Sequence, residues 1–156
     1  MQEITDLVHS QRWGALATLD ENGHPSASAV AFGVDPAKGR FLFLLSGLAE
    51  HTRNLAERPE ASLLIGVPDS GEGNPQTLPR FSVKLRVDRV PRDDPRFAEL
   101  AACYLAKLPD SEMLFGLGDF QLLSGAPLGG NYVGGFGRAT TLEAEQVREL
   151  LLSRSS

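Results

Sequence analysis

A single cysteine, Cys103, occurs in the 156 residues. An internal disulfide is therefore excluded, and a reducing, cytoplasmic setting is expected. Cys103 lies in Ala101-Ala102-Cys103-Tyr104-Leu105, where a structural thiol is expected rather than a nucleophile. Histidine is scarce as well. His9, His24 and His51 are scattered, and no zinc-type spacing exists, so no metal site is expected. The chain lacks a basic excess; its net charge of −5 argues against a general nucleic-acid role. It lacks an apolar run long enough to span a membrane, and residues 1–12 do not read as a signal peptide. No Ser-His-Asp or Cys-His pairing is indicated by spacing. No side chain stands out as a dedicated general acid or base, so catalytic residues stay unassigned.

What is present is ordinary for a folded chain: 42% hydrophobic and 22% charged residues. The length suits one domain over residues 1–156 with a sizeable core, and no internal repeat or linker is visible. The organising stretch is residues 41–55, Phe-Leu-Phe-Leu-Leu-Ser-Gly-Leu-Ala-Glu-His-Thr-Arg-Asn-Leu. Its first part is apolar at every position, which predicts a strand buried on both faces. Ser46-Gly47 breaks the run and predicts the start of a helix, with Ser46 as N-cap. His51, Thr52, Arg53 and Asn54 then fall in the first two turns. A helix N-terminus with basic and hydroxyl side chains suits a phosphate. An amphipathic helix with Leu48 and Leu55 buried explains the same residues, and local chemistry alone favours that plainer reading.

Elsewhere the patterns are mostly β. Residues 2–12 read as a helix with Ile4, Leu7 and Val8 on one face. Residues 13–19 and 26–32 read as strands joined by Asp20-Glu21-Asn22-Gly23, a hairpin signal. The second strand carries unusually small side chains, which would let a bulky group approach its backbone. Residues 40–45, 61–67 and 80–90 are further strands. In the last, Phe81, Val83, Leu85 and Val87 alternate with Arg80, Ser82, Lys84 and Arg86. Residues 48–58 and 95–108 read as helices, and 111–117 as a helical turn. Two short strands, 119–123 and 132–138, are predicted on either side of a Gly-Pro-rich loop at 124–131. Residues 140–154 read as a closing helix, with Thr140 and Glu143 as a capping box. Six to seven strands with helices packed outside predict a mainly β fold, a small antiparallel barrel.

The order of several segments resembles a known family. They are Arg12-Trp13-Gly14-Ala15-Leu16-Ala17-Thr18, Gly23-His24-Pro25, residues 46–55, Asp119-Phe120, and Gly135-Phe136-Gly137-Arg138-Ala139. Together they resemble the flavin-binding split-barrel proteins related to pyridoxamine 5′-phosphate oxidase, and within them the haem-utilisation (HugZ-type) branch. The resemblance implies a split β-barrel homodimer with flavin mononucleotide (FMN) at the subunit interface. It implies that Ser46, His51, Thr52, Arg53 and Asn54 lie near the flavin phosphate. It implies that Ser28, Ala29 and Val30 lie along the flavin ring. The function so implied is FMN-dependent redox chemistry on a small organic substrate. A haem-binding protein or a non-catalytic dimeric barrel is the alternative.

Two departures from the family pattern stand out. His51 occupies the place where the oxidases have lysine, and histidine is only partly charged near neutral pH. Leu85 stands where the haem-utilisation branch commonly has glycine, and the glutamine that the oxidases have near Phe81 is missing. That branch also carries an iron-binding histidine in a C-terminal extension. With no histidine after His51, ligation by that route is not expected here.

Overall fold

The computed structural model describes residues 1–135 and 137–152. Helix α1 (Gln2–Ser10) buries Ile4, Leu7 and Val8, the face its spacing predicts. Strands β1 (Trp13–Leu19) and β2 (Pro25–Ala31) form the first hairpin. Its turn is tied by Asp20 Oδ1, which accepts from the backbone N–H groups of Asn22 and His24. Gly23 takes the left-handed φ of 78° that this turn requires.

Strands β3 (Gly33–Asp35), β4 (Arg40–Ser46), β5 (Glu60–Gly66), β6 (Arg80–Val90), β7 (Phe120–Val133) and β8 (Ala139–Glu143) complete one antiparallel sheet. The strand order is β2-β1-β5-β6-β7-β4-β3, with β8 also paired to β7. Consecutive strands β2 and β3 therefore stand at opposite ends of the hydrogen-bonded path. The chain crosses from one end to the other at Phe32, and the sheet wraps round a single core. Val30, Phe32, Phe41, Phe43, Leu63, Phe81, Leu85 and Leu123 fill that core, and α1 and the last helix add Leu7 and Val147. This is the mainly β split barrel with packed helices that the sequence predicts, with eight strands among the described residues in place of six to seven.

β4 is the hinge of the packing. Phe41, Phe43 and Leu45 point into the barrel, while Leu42 and Leu44 belong to a second core outside it. Helix α3 (Phe97–Lys107) closes that second core with Leu100 and Tyr104, joined by the short helix α4 (Glu112–Phe115) through Leu114 and Phe115. The start of α3 is fastened by the fully buried Asp35, whose carboxylate accepts two bonds from the Arg96 guanidinium at 2.8 and 3.0 Å. The N–H groups of Ala37 and Lys38 also donate to it. Burial alone would raise the Asp35 pKa, but these bonds and the Arg96 charge bring it below the usual carboxylate value.

The elements differ from the sequence reading in several places. β3 is too short to show a period and is unforeseen. Residues 124–131, expected as a loop, lie inside β7. Gly125 and Gly130 belong there because a Cβ would press on Leu85 and Phe43, or on Phe81. Pro127 is tolerated at a register shift, where Leu85 pairs with Pro127 and Lys84 with Gly129. The expected strand at 132–138 stops at Val133. A turn follows, with Gly134 N–H donating to Arg138 and Arg138 N–H to Gly135; Phe136 lies outside the described residues. The closing helix α5 (Ala144–Leu151) begins four residues late because 139–143 pairs with β7. Its capping box is Glu143 with Gln146, not Thr140 with Glu143.

Candidate functional site: helix α2 and the Trp13 groove

Helix α2 spans Glu50–Glu57 and starts four residues after Ser46. Ala49 occupies the N-cap without a side-chain cap, so Ser46 is the end of β4 and not the capping residue. Ser46 Oγ donates to Asp119 Oδ2 at 3.0 Å and accepts from Leu48 N–H. Leu48, expected to be buried, is 75% exposed, whereas Leu55 is buried in the barrel core as expected. The Arg53 guanidinium turns back to the Leu48 carbonyl. Asn54 is buried and donates to Thr18 Oγ1 at 3.1 Å, fixing α2 against β1. Thr52 is buried, and its hydroxyl has no hydrogen-bond partner among the described residues. His51 is half-buried. Desolvation of its imidazolium outweighs the adjacent Glu50 carboxylate and lowers its pKa. The helix start thus presents an imidazole with a lowered pKa and a guanidinium with one nitrogen on the Leu48 carbonyl, downstream of a serine bonded to Asp119.

Ser28, Ala29 and Val30 lie on β2, at the end of the sheet path. Val30 turns into the core. Ala29 faces outward, paired with Ala15, which in turn pairs with Leu64 on β5. Directly opposed residues share a face. Ala27, Ala29, Ala15, Ala17 and Leu64 therefore form one outer surface of the barrel, flanked by Trp13 and Leu19.

Two grooves lie on this face. One, of about 390 Å³, is bounded by Trp13, Ala15, Leu64, Val67, Leu78 and Arg80. The other, of about 240 Å³, includes Ala17, Leu19, Ser62, Lys84 and Leu128. Trp13 is 62% exposed and Leu64 45% exposed, large apolar side chains left in water by the single chain. Arg80 and Lys84 are outward positions of β6 on either side of Ser82, and each edges one groove. Sequence reading missed the first groove because it joins three strands and the 67–79 loop. The available signal was a tryptophan opening a strand of otherwise small residues. Among the described residues, no set of three or more His, Cys, Asp or Glu could hold a metal ion, and no helix is long and apolar enough to cross a membrane.

The model of the family described as pyridoxamine 5′-phosphate oxidase matches residues 1–134. The chain belongs to this family. It is 31% identical over 150 residues to heme oxygenase HutZ of Vibrio cholerae, covering 93% of this chain and 82% of that one. It is 30% identical over 141 residues to the chloroplastic non-canonical heme oxygenase HOZ of Arabidopsis thaliana, covering 89% of this chain and 41% of the relative. A solved heme binding protein from Mycobacterium smegmatis superposes with a TM-score of 0.84 at 29% identity, over 94% of this chain and 59% of that one. The chain thus spans about two fifths of the plant relative and three fifths of the mycobacterial one.

These findings correct the expectation of an FMN-dependent oxidoreductase. The two relatives and the mycobacterial structure described above, each matching this chain over most of its length, are named for haem. Around the start of α2, Ser46 and Asn54 already bond Asp119 and Thr18, and one Arg53 nitrogen bonds the Leu48 carbonyl, so part of the hydrogen-bonding capacity expected to hold the flavin phosphate is used within the fold.

Proposed function

We propose that this protein binds haem on the outer sheet face that carries Trp13 and Leu64. The observation that carries the reading is the 31% identity, over nearly the whole chain, to a protein named as a heme oxygenase. The surface is suited to the ring. A porphyrin is flat and apolar with carboxylates at one edge, and this face offers Trp13, Ala15 and Leu64 with Arg80 and Lys84 beside them. The fit does not extend to the iron. Among the described residues, neither groove is bounded by a histidine, cysteine, tyrosine or methionine. No step at the iron is therefore assigned to a residue of this chain. Ser46 and Asn54, bonded to Asp119 and Thr18, we assign to holding the β4–α2 segment on the barrel.

The same face supports a homodimer. Exposed Ala27, Ala29, Leu19 and Leu128 extend it beyond the grooves, and large apolar patches of this kind mark association surfaces. Haem titration tests the first reading: a saturable Soret shift at about one haem per chain is expected, and its absence overturns it. Sedimentation equilibrium tests the second. A species of twice the 16.8 kDa chain mass is expected at micromolar concentration, and a single species of chain mass overturns it.

A further inference from the structure

Within the haem-binding reading, on which this inference rests, the Trp13 groove has a more specific chemistry. Its walls are a protruding indole, Leu64, and the apolar loop residues Val67, Pro68, Pro75 and Leu78. Among the described residues, its one cationic wall residue is Arg80. Arg80 Nη1 donates to the carbonyls of Gln76 at 2.6 Å and Leu78 at 3.2 Å. One nitrogen of the guanidinium is thereby anchored on the loop, and its remaining donors make no hydrogen bond among the described residues. A guanidinium presents five N–H donors in a rigid plane matched to a carboxylate. Anchoring it beforehand reduces the side-chain entropy lost when an anion arrives.

The histidines lie elsewhere. His9 is on α1, beside the Lys107 charge. His24 is in the β1–β2 turn with Nδ1 3.8 Å from Asp20. His51 is at the start of α2. None of them bounds the groove.

We propose that the Trp13 groove recognises a tetrapyrrole by its apolar ring and one carboxylate, the ring against Trp13 and Leu64 and the carboxylate on Arg80, irrespective of the metal at its centre. Iron-free and iron-bearing porphyrins should then bind alike, while masking the carboxylates should weaken both. This is recognition by shape and one charge-assisted pair, not by coordination.

The test uses the full chain and three probes: ferric haem, iron-free protoporphyrin IX and its dimethyl ester. Binding is read from the absorbance of each probe and from the emission of Trp13, the chain's one tryptophan. Iron-free protoporphyrin is expected to bind within about threefold of haem, and the ester about tenfold or more weaker, the loss of one charge-assisted bond. Arg80→Ala should weaken the acid by about tenfold and leave the ester unchanged. Leu64→Glu, at a half-exposed position, should weaken all three. Met113→Glu, at an exposed site on α4, should weaken none.

Several results overturn the proposal. Equal affinity for acid and ester would do so, as would an Arg80→Ala protein that loses both equally, since that marks a loosened loop. Haem at least tenfold tighter than the iron-free ring, with the gap closed by replacing His9, His24 or His51, would put a histidine on the iron. Haem bound unchanged by Leu64→Glu would move the site away from the groove while leaving the haem reading intact. If Leu64→Glu also halves the sedimenting mass, a second copy occupies the groove. Failure of every probe to bind removes the haem reading itself.

Discussion

The start of α2 and the Trp13 groove teach opposite lessons about reading side chains. The end of β4 and α2 carry the residues with recognisable chemistry: Ser46, then His51, Thr52, Arg53 and Asn54. Ser46 and Asn54 are bonded within the fold to Asp119 and Thr18, one Arg53 nitrogen bonds the Leu48 carbonyl, and the imidazole is pushed toward its neutral form. The groove carries little recognisable chemistry, mostly alanine, leucine, proline and one tryptophan. Yet its apolar surface is uncovered, and its guanidinium is only partly engaged. A polar side chain that already has its partner contributes to the fold, whereas an apolar one still in water is poised to bind.

The comparison can be broken from its structural side first. Asp35 and Arg96 set the scale for a buried polar lock in this protein. Asp35→Ala should cost about 3 kcal/mol, near the low end for a broken buried pair because Arg96 reaches solvent. Chemical denaturation measures this. The pH dependence has a definite sign. The folded pKa of Asp35 lies below its ordinary 3.8, so its contribution is fully present above 3.8 and is lost as pH falls through the folded value. The Asp35→Ala protein should lack this component of acid sensitivity.

Asn54→Ala comes next. It strands the buried Thr18 hydroxyl and should cost about 2 kcal/mol, with haem affinity unchanged once folding is confirmed. A protein of unaltered stability that loses haem would place α2 in the binding site and reverse the comparison. Thr52→Val should raise stability by up to about 1 kcal/mol, because it replaces a buried hydroxyl without a partner by a methyl group of similar size. A destabilised variant in thermal unfolding would mean that this hydroxyl has a partner. Trp13→Ala sharpens the contrast from the other side. Stability should change by no more than about 0.5 kcal/mol, as at an exposed site, while haem affinity falls.

Much of the barrel is legible in the sequence. The unbroken apolar run Phe41–Leu45 dictates a strand buried on both faces, and it packs between two cores for that reason. The alternation in β6 fixes which side chains face inward, and the spacing of Ile4, Leu7 and Val8 fixes the buried face of α1. Asp20-Glu21-Asn22-Gly23 closes the first hairpin through local bonds alone. The family resemblance is likewise carried by residue order, since residues 1–134 match its model.

What the sequence left open depends on neighbours distant along the chain. Residues 124–131 look like a loop until β4 and β6 close on both sides of them; then Gly125 and Gly130 become the residues small enough to fit against Phe43, Leu85 and Phe81. The end of β8 replaces the first turn of the expected last helix because pairing with β7 satisfies its backbone. The setting of Ser46 and of α2 turns on Asp119 and Thr18, which lie far from them in sequence and bond Ser46 and Asn54 in space. The Trp13 groove exists only once β1, β5, β6 and the loop before β6 are brought together. Local pattern decides which way a side chain faces. Whether it then finds a partner or remains in water is decided by the tertiary structure, because that partner comes from elsewhere in the chain.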